Sequence, residues 1–118
     1  MEGLAVAATL AGRAEEIHGA LHPIAQTMRT TAVADVTNSG GTISRLVSSS
    51  ENSLSPAQRA VLQPGETAVS GSGHAEQTIL NHAMQNGQVV NSMGVSRAPC
   101  AICAQMLKDA GVDVAGPK

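Results

Sequence analysis

His74 and Glu76, in the run His74-Ala75-Glu76, and Cys100 and Cys103, in Pro99-Cys100-Ala101-Ile102-Cys103, form the constellation with the clearest chemistry in this chain of 118 residues. An imidazole and two thiols supply three protein ligands to a zinc ion and leave a fourth position for water, which is the catalytic rather than the structural pattern. Cysteines at i and i+3 in the first turn of a helix share one face. The unpaired N–H groups and dipole of that helix end favour their thiolate forms. Pro99 fits a helix start, because its missing N–H has no intrahelical partner there. His74 also opens a predicted helix, so two helix N-termini can converge on one cation. Glu76 need not bind the metal. Its carboxylate can face the metal's water, accept a proton and pass it to a leaving group.

Taken alone, Cys-x-x-Cys also suits a redox pair or half of a structural zinc site. No β-α-β start precedes it to support a thioredoxin-like reading. A four-ligand structural site needs another donor, and the remaining histidines are His18, His22 and His82. A disulfide between cysteines so close in sequence would restrict the unfolded chain little, so a metal-binding thiolate pair is the better use.

The elements that must position these groups can be read from patterning. Residues 4–22 place Leu4, Ala8, Ala11, Ile17 and Leu21 near one helical face, with Arg13, Glu15 and Glu16 elsewhere, and predict a helix that ends before Pro23. The β-branched run 30–37, the turn Asn38-Ser39-Gly40-Gly41 and the run 42–48 predict an antiparallel hairpin. Ser55-Pro56 caps a short helix to about Leu62 within a long connection, and Gly65, Gly71 and Gly73 lead into the motif. A helix over 74–86 turns Ile79, Leu80, Ala83 and Met84 inward, and a strand follows over 88–95. A helix over 100–110 turns Ile102, Met106 and Leu107 inward and stops at Gly111, before a final strand over 112–115. The order predicts a single α/β domain over 1–118, with a mixed β-sheet that begins with a β-hairpin and is covered by helices.

Composition narrows the classes. Hydrophobic residues make up 42% and charged residues 14%, as expected of a globular chain. Phe, Tyr and Trp are absent, so the core must be thin and aliphatic, and its stability can draw on a bound metal. A formal charge of −2 gives no broad electrostatic footprint for nucleic acid, and no aromatic platform exists for stacking bases. No apolar run is long enough for a transmembrane helix. Gly3–Leu10 is apolar but follows Glu2 rather than a basic segment, which argues against a signal peptide.

The two motifs and the element order resemble the cytidine deaminase-like superfamily over most of the chain, through its H-x-E…P-C-x-x-C signature. The resemblance implies a three-layer fold, with His74, Cys100 and Cys103 as zinc ligands and Glu76 as the proton shuttle. Within the superfamily the chain is similar to deaminase domains of bacterial polymorphic toxins. The turn at 38–41, the Ser-rich tract after the second strand and the Gly-Ser-Gly lead-in to His74 carry that likeness. It implies conversion of cytosine to uracil in DNA, by attack of metal-generated hydroxide on C4. It also implies delivery from a bacterium within a longer toxin, action in the target cell's cytoplasm and a cognate immunity protein over the site.

Asn52, Asn38, Ala75, Arg97 and Pro99 are candidate substrate contacts, with Asn38 competing as a plain turn residue and Arg97 as a phosphate contact. Low positive charge and missing aromatics suit an alternative deaminase of a free nucleoside, a nucleotide or an RNA base. A non-catalytic zinc interaction domain is the alternative from another class.

Overall fold

The computed structural model describes residues 2–50, 53–71 and 73–117. The chain runs α1 (Glu2–His18), α2 (Pro23–Met28), β1 (Thr31–Thr37), β2 (Ile43–Ser49), α3 (Pro56–Ala60), β3 (Glu66–Ala68), α4 (Ala75–Gln85), β4 (Val89–Val95), α5 (Ala101–Asp109) and β5 (Asp113–Ala115). The strands form one five-stranded mixed sheet in the order β3-β2-β1-β4-β5. β1 is antiparallel to both its neighbours, while β2/β3 and β4/β5 are parallel pairs. The α/β class, the hairpin and the mixed sheet follow the sequence expectation.

Strand alternation sends successive side chains to opposite faces, and here both faces are covered. Ala32, Ala34, Val36, Leu46 and Met93 pack with Ile79, Ala83 and Leu107 from α4 and α5. Val33 and Val47 pack on the other face against Leu10, Ala14 and Ile17 of α1. That second layer is thin for a physical reason: a Cβ built at Gly94 would lie 2.0 Å from the Ala11 nitrogen and 2.1 Å from the Leu10 carbonyl carbon. The α1 backbone therefore rests directly on β4, and any side chain at Gly94 would push it off.

Several expectations are corrected. The buried stripe of α1 is Ala7, Leu10, Ala14 and Ile17, at helical spacing, while Ala8 is exposed. Alanines mark two competing stripes in this segment, so sequence volume alone does not choose between them. Arg13 lies on the buried side, 9% exposed, because Glu66 meets it there. The first helix does end before Pro23, and Pro23 itself begins a further helix, α2, with His22 Nδ1 accepting from the Ile24 N–H at 3.2 Å. β3 was hidden inside the predicted connection, being only three residues long. Met84 and Ile102, expected inward, are 76% and 74% exposed. The buried rows run Ala75–Ile79–Ala83 on α4 and Cys103–Leu107 on α5, which leaves those two side chains on the solvent side. Ser55 caps α3 through a reciprocal capping box with Gln58.

Candidate metal centre

Strand ends and helix starts meet on one rim of the sheet, where β1 begins and β2 and β4 end. Ser48, fully buried near the end of β2, donates its hydroxyl to the Ala75 carbonyl at 2.7 Å and so pins the first residue of α4. Ser96, just past β4, accepts from the Thr31 N–H at 2.8 Å, and Ser50 accepts from the Thr30 N–H at 2.9 Å. These short polar side chains close the rim without bulk.

On this rim His74 is the N-cap residue of α4, and its imidazole makes no capping bond. Gly73 enters it at φ +98°, a conformation L side chains rarely adopt. Cys100 is the N-cap residue of α5, and its Sγ accepts from the Cys103 N–H at 3.5 Å. One donor atom from each of His74, Cys100 and Cys103 lies within 4.8 Å of the others. These three side chains can hold a metal ion.

The two thiols differ in environment. Cys100 is exposed, and the backbone N–H of Cys103 together with its thiol lowers its pKa. Cys103 is buried, and burial followed by the shared hydrogen bond with Cys100 pushes its pKa up to about 12. Without metal, Cys100 gives up its proton more readily than Cys103 does. A coordinated cation would remove that difference by deprotonating both.

Glu76 is 2% exposed, and its Oε1 is buried without a hydrogen-bond partner. Burial raises its pKa, against the weaker pull of its own backbone N–H and of His74. A buried polar atom with no partner is expensive unless something absent from the protein chain meets it. A metal-bound water would give that oxygen a partner, and two thiols with one imidazole are the donors a borderline-soft ion prefers. The donor set and the orphaned oxygen therefore both fit a bound metal ion.

His74, Glu76 and Cys100 line a pocket of about 380 Å3, together with Arg97, Met28, Thr30 and Ser50. Arg97 is exposed at its edge, and one guanidinium N–H donates to the Thr27 carbonyl. The remaining sequence candidates are dispersed. Ala75 is buried and its carbonyl is engaged by Ser48. Pro99 lines a separate apolar cavity of about 420 Å3 with Leu107 and Val112, not the metal pocket. Asn38 is corrected to a turn residue at the opposite end of β1, with its amide donating to Thr42 and Ser44 and its carbonyl accepting from Gln88. Asn52 lies outside the described residues. Arg45 is partly buried and paired with Asp35 at 3.0 Å.

Met28, Thr30 and Ser50 were not singled out from sequence. They reach the pocket from strand ends and a short helix, and no local spacing signals such a convergence.

No family model matches the chain, and no curated protein or solved structure does. No helix among the described residues is long and apolar enough to cross a membrane.

Proposed function

We propose that this chain is a deaminase toxin domain of the cytidine deaminase-like fold, binding zinc through His74, Cys100 and Cys103 and converting cytosine to uracil in DNA. The observation that carries the reading is the gathering of those three donors within 4.8 Å beside a buried carboxylate whose Oε1 has no partner. When bound, zinc lowers the pKa of a coordinated water toward neutrality and so supplies the nucleophile.

The chain's own groups account for the rest. Burial keeps the Glu76 carboxyl able to hold a proton at higher pH than an exposed glutamate. Glu76 takes a proton from the attacking water and delivers it to the departing amine. A C4–O bond forms and the C4–N bond breaks, so cytosine and water become uracil and ammonia. Arg97, exposed at the pocket edge, offers a cation for a backbone phosphate. The same reading includes delivery within a longer bacterial toxin into a target cell's cytoplasm, and an immunity protein that covers the pocket.

A net charge of −2 and the lack of aromatic side chains favour a second reading, deamination of a free nucleoside or nucleotide or of an RNA base. Incubating zinc-loaded protein with single-stranded DNA, duplex DNA, RNA and free cytidine, and assaying uracil, inosine and ammonia, separates the two. Uracil from DNA, lost in Glu76→Gln, is the expected result. Product from cytidine or RNA alone selects the second reading. Stoichiometric zinc with no product from any substrate overturns both in favour of a non-catalytic zinc domain.

A further inference from the structure

The short helix α2 is anchored in an unusual way, and its position has a use. None of its residues is buried, and a six-residue helix does not persist on its own intrinsic propensity. Side chains from elsewhere capture its backbone instead. His18 Nε2 donates to the Gln26 carbonyl at 2.8 Å, which leaves Nδ1 to accept from the Thr31 hydroxyl at 3.0 Å. Arg97, from the loop before α5, donates to the Thr27 carbonyl. The helix is thus held by side chains from α1 and from the loop before α5 while burying nothing of its own.

Fixed there, α2 holds Met28 on the pocket wall. Met28 is 65% exposed, and among the described residues it is the sole large apolar side chain lining the pocket; Thr30, Ser50 and Ala98 are small. A heteroaromatic base bound beside His74 and Glu76 has to bury one face against something, and the chain contains no Phe, Tyr or Trp to receive it. Methionine suits that task. Its thioether is polarisable, its three rotatable bonds let it follow a flat ring, and sulfur–aromatic contacts are favourable.

Resting on the deaminase reading above, we infer that Met28 is the base-packing residue of this site, presented by α2 in place of an aromatic side chain. Its contact is with the ring face rather than with a polar edge. It therefore contributes to binding of base and transition state alike and belongs in KM rather than kcat.

The experiment compares wild type, Met28→Ala, Met28→Leu and Met84→Ala on the best nucleic-acid or nucleoside substrate. Met84 is 76% exposed on α4 and does not line the pocket, so it controls for loss of a surface methionine. Met28→Ala is expected to raise KM about three- to tenfold with kcat changed less than about twofold. Met28→Leu recovers part of that loss, Met84→Ala is unchanged, and zinc content and Tm are the same in all four. In parallel, the 13C-labelled methionine methyl signals of Glu76→Gln are followed as a cytosine oligonucleotide or cytidine is added. An upfield ring-current shift of the Met28 signal, absent for Met84, is expected. Deamination by wild type with an unaltered KM in Met28→Ala, or an unshifted Met28 methyl at saturation, overturns the inference and leaves the deaminase reading standing. Wild type that deaminates no base overturns both.

Discussion

Glu66 sits where β3 joins β2, with Arg13 donating to both of its oxygens at 2.8 and 2.7 Å and the Gln63 N–H donating at 2.8 Å. Arg45 approaches within 3.7 Å, so the side chain, 3% exposed, is surrounded by cations and donors. Glu76, buried at the start of α4, has an oxygen that meets nothing. The hydrogen bonds from Arg13 hold the Glu66 pKa below the usual carboxylate range, whereas desolvation holds that of Glu76 above it. One end of the sheet satisfies its buried carboxylate and gains cohesion between α1, β2 and β3. The other leaves its carboxylate unsatisfied, a local destabilisation that the acid–base role proposed for Glu76 would explain.

Neutralising each carboxylate in turn tests that contrast most sharply. Glu76→Gln should keep stoichiometric zinc and lower the deamination rate by about 10²–10⁴-fold, the range of a general acid–base group. The Tm of its metal-free form should be unchanged or higher, because no charge is left desolvated. Glu66→Gln should do the reverse. Removing one partner of a buried ion pair costs about 3–5 kcal/mol, read by urea unfolding, while zinc content and the activity of the folded fraction stay at wild-type levels. Equal destabilisation by the two substitutions breaks the comparison.

Acid sharpens it further. The folded pKa of Glu66 is depressed, so its stabilisation is complete above the unfolded value of about 4.3 and is lost as pH falls through the lower folded value. Circular dichroism should show wild type losing stability below that range more steeply than Glu66→Gln; parallel profiles would remove Glu66 as the cause. The smallest expected effect is that of Ser48→Ala. Loss of its bond to the Ala75 carbonyl should lower stability by about 1 kcal/mol. Retained stability in that variant would mean that β2 does not anchor the start of α4.

Much of this contrast was invisible in sequence, and the reason is separation along the chain. His74, Cys100 and Cys103 announce themselves because each pattern is local to a helix start, and a predicted strand fixes their relation. The hairpin and the Ser55 cap were legible for the same reason. Arg13 and Glu66 meet only after α1 has been laid across the sheet, so Arg13 reads as a surface charge until its partner is known. Met84 and Ile102 misled because the buried rows of these short helices are narrow, Ala75, Ile79 and Ala83 on α4 and Cys103 and Leu107 on α5, and large apolar neighbours fall just outside them. Pro23 marked the end of the first helix but not the start of α2, because proline stops one helix and starts another with equal ease.

The aliphatic core has an optical consequence as well. With no indole, phenol or phenyl ring anywhere in the chain, the polypeptide contributes essentially no near-ultraviolet absorption and no intrinsic fluorescence. Cobalt placed between Cys100, Cys103 and His74 would therefore show its thiolate charge-transfer bands against an almost empty background. An added nucleobase would be the dominant near-ultraviolet chromophore beside them. The composition that denies the site an aromatic platform thus makes the proposed metal ligands and any bound base directly visible, without a reporter being introduced.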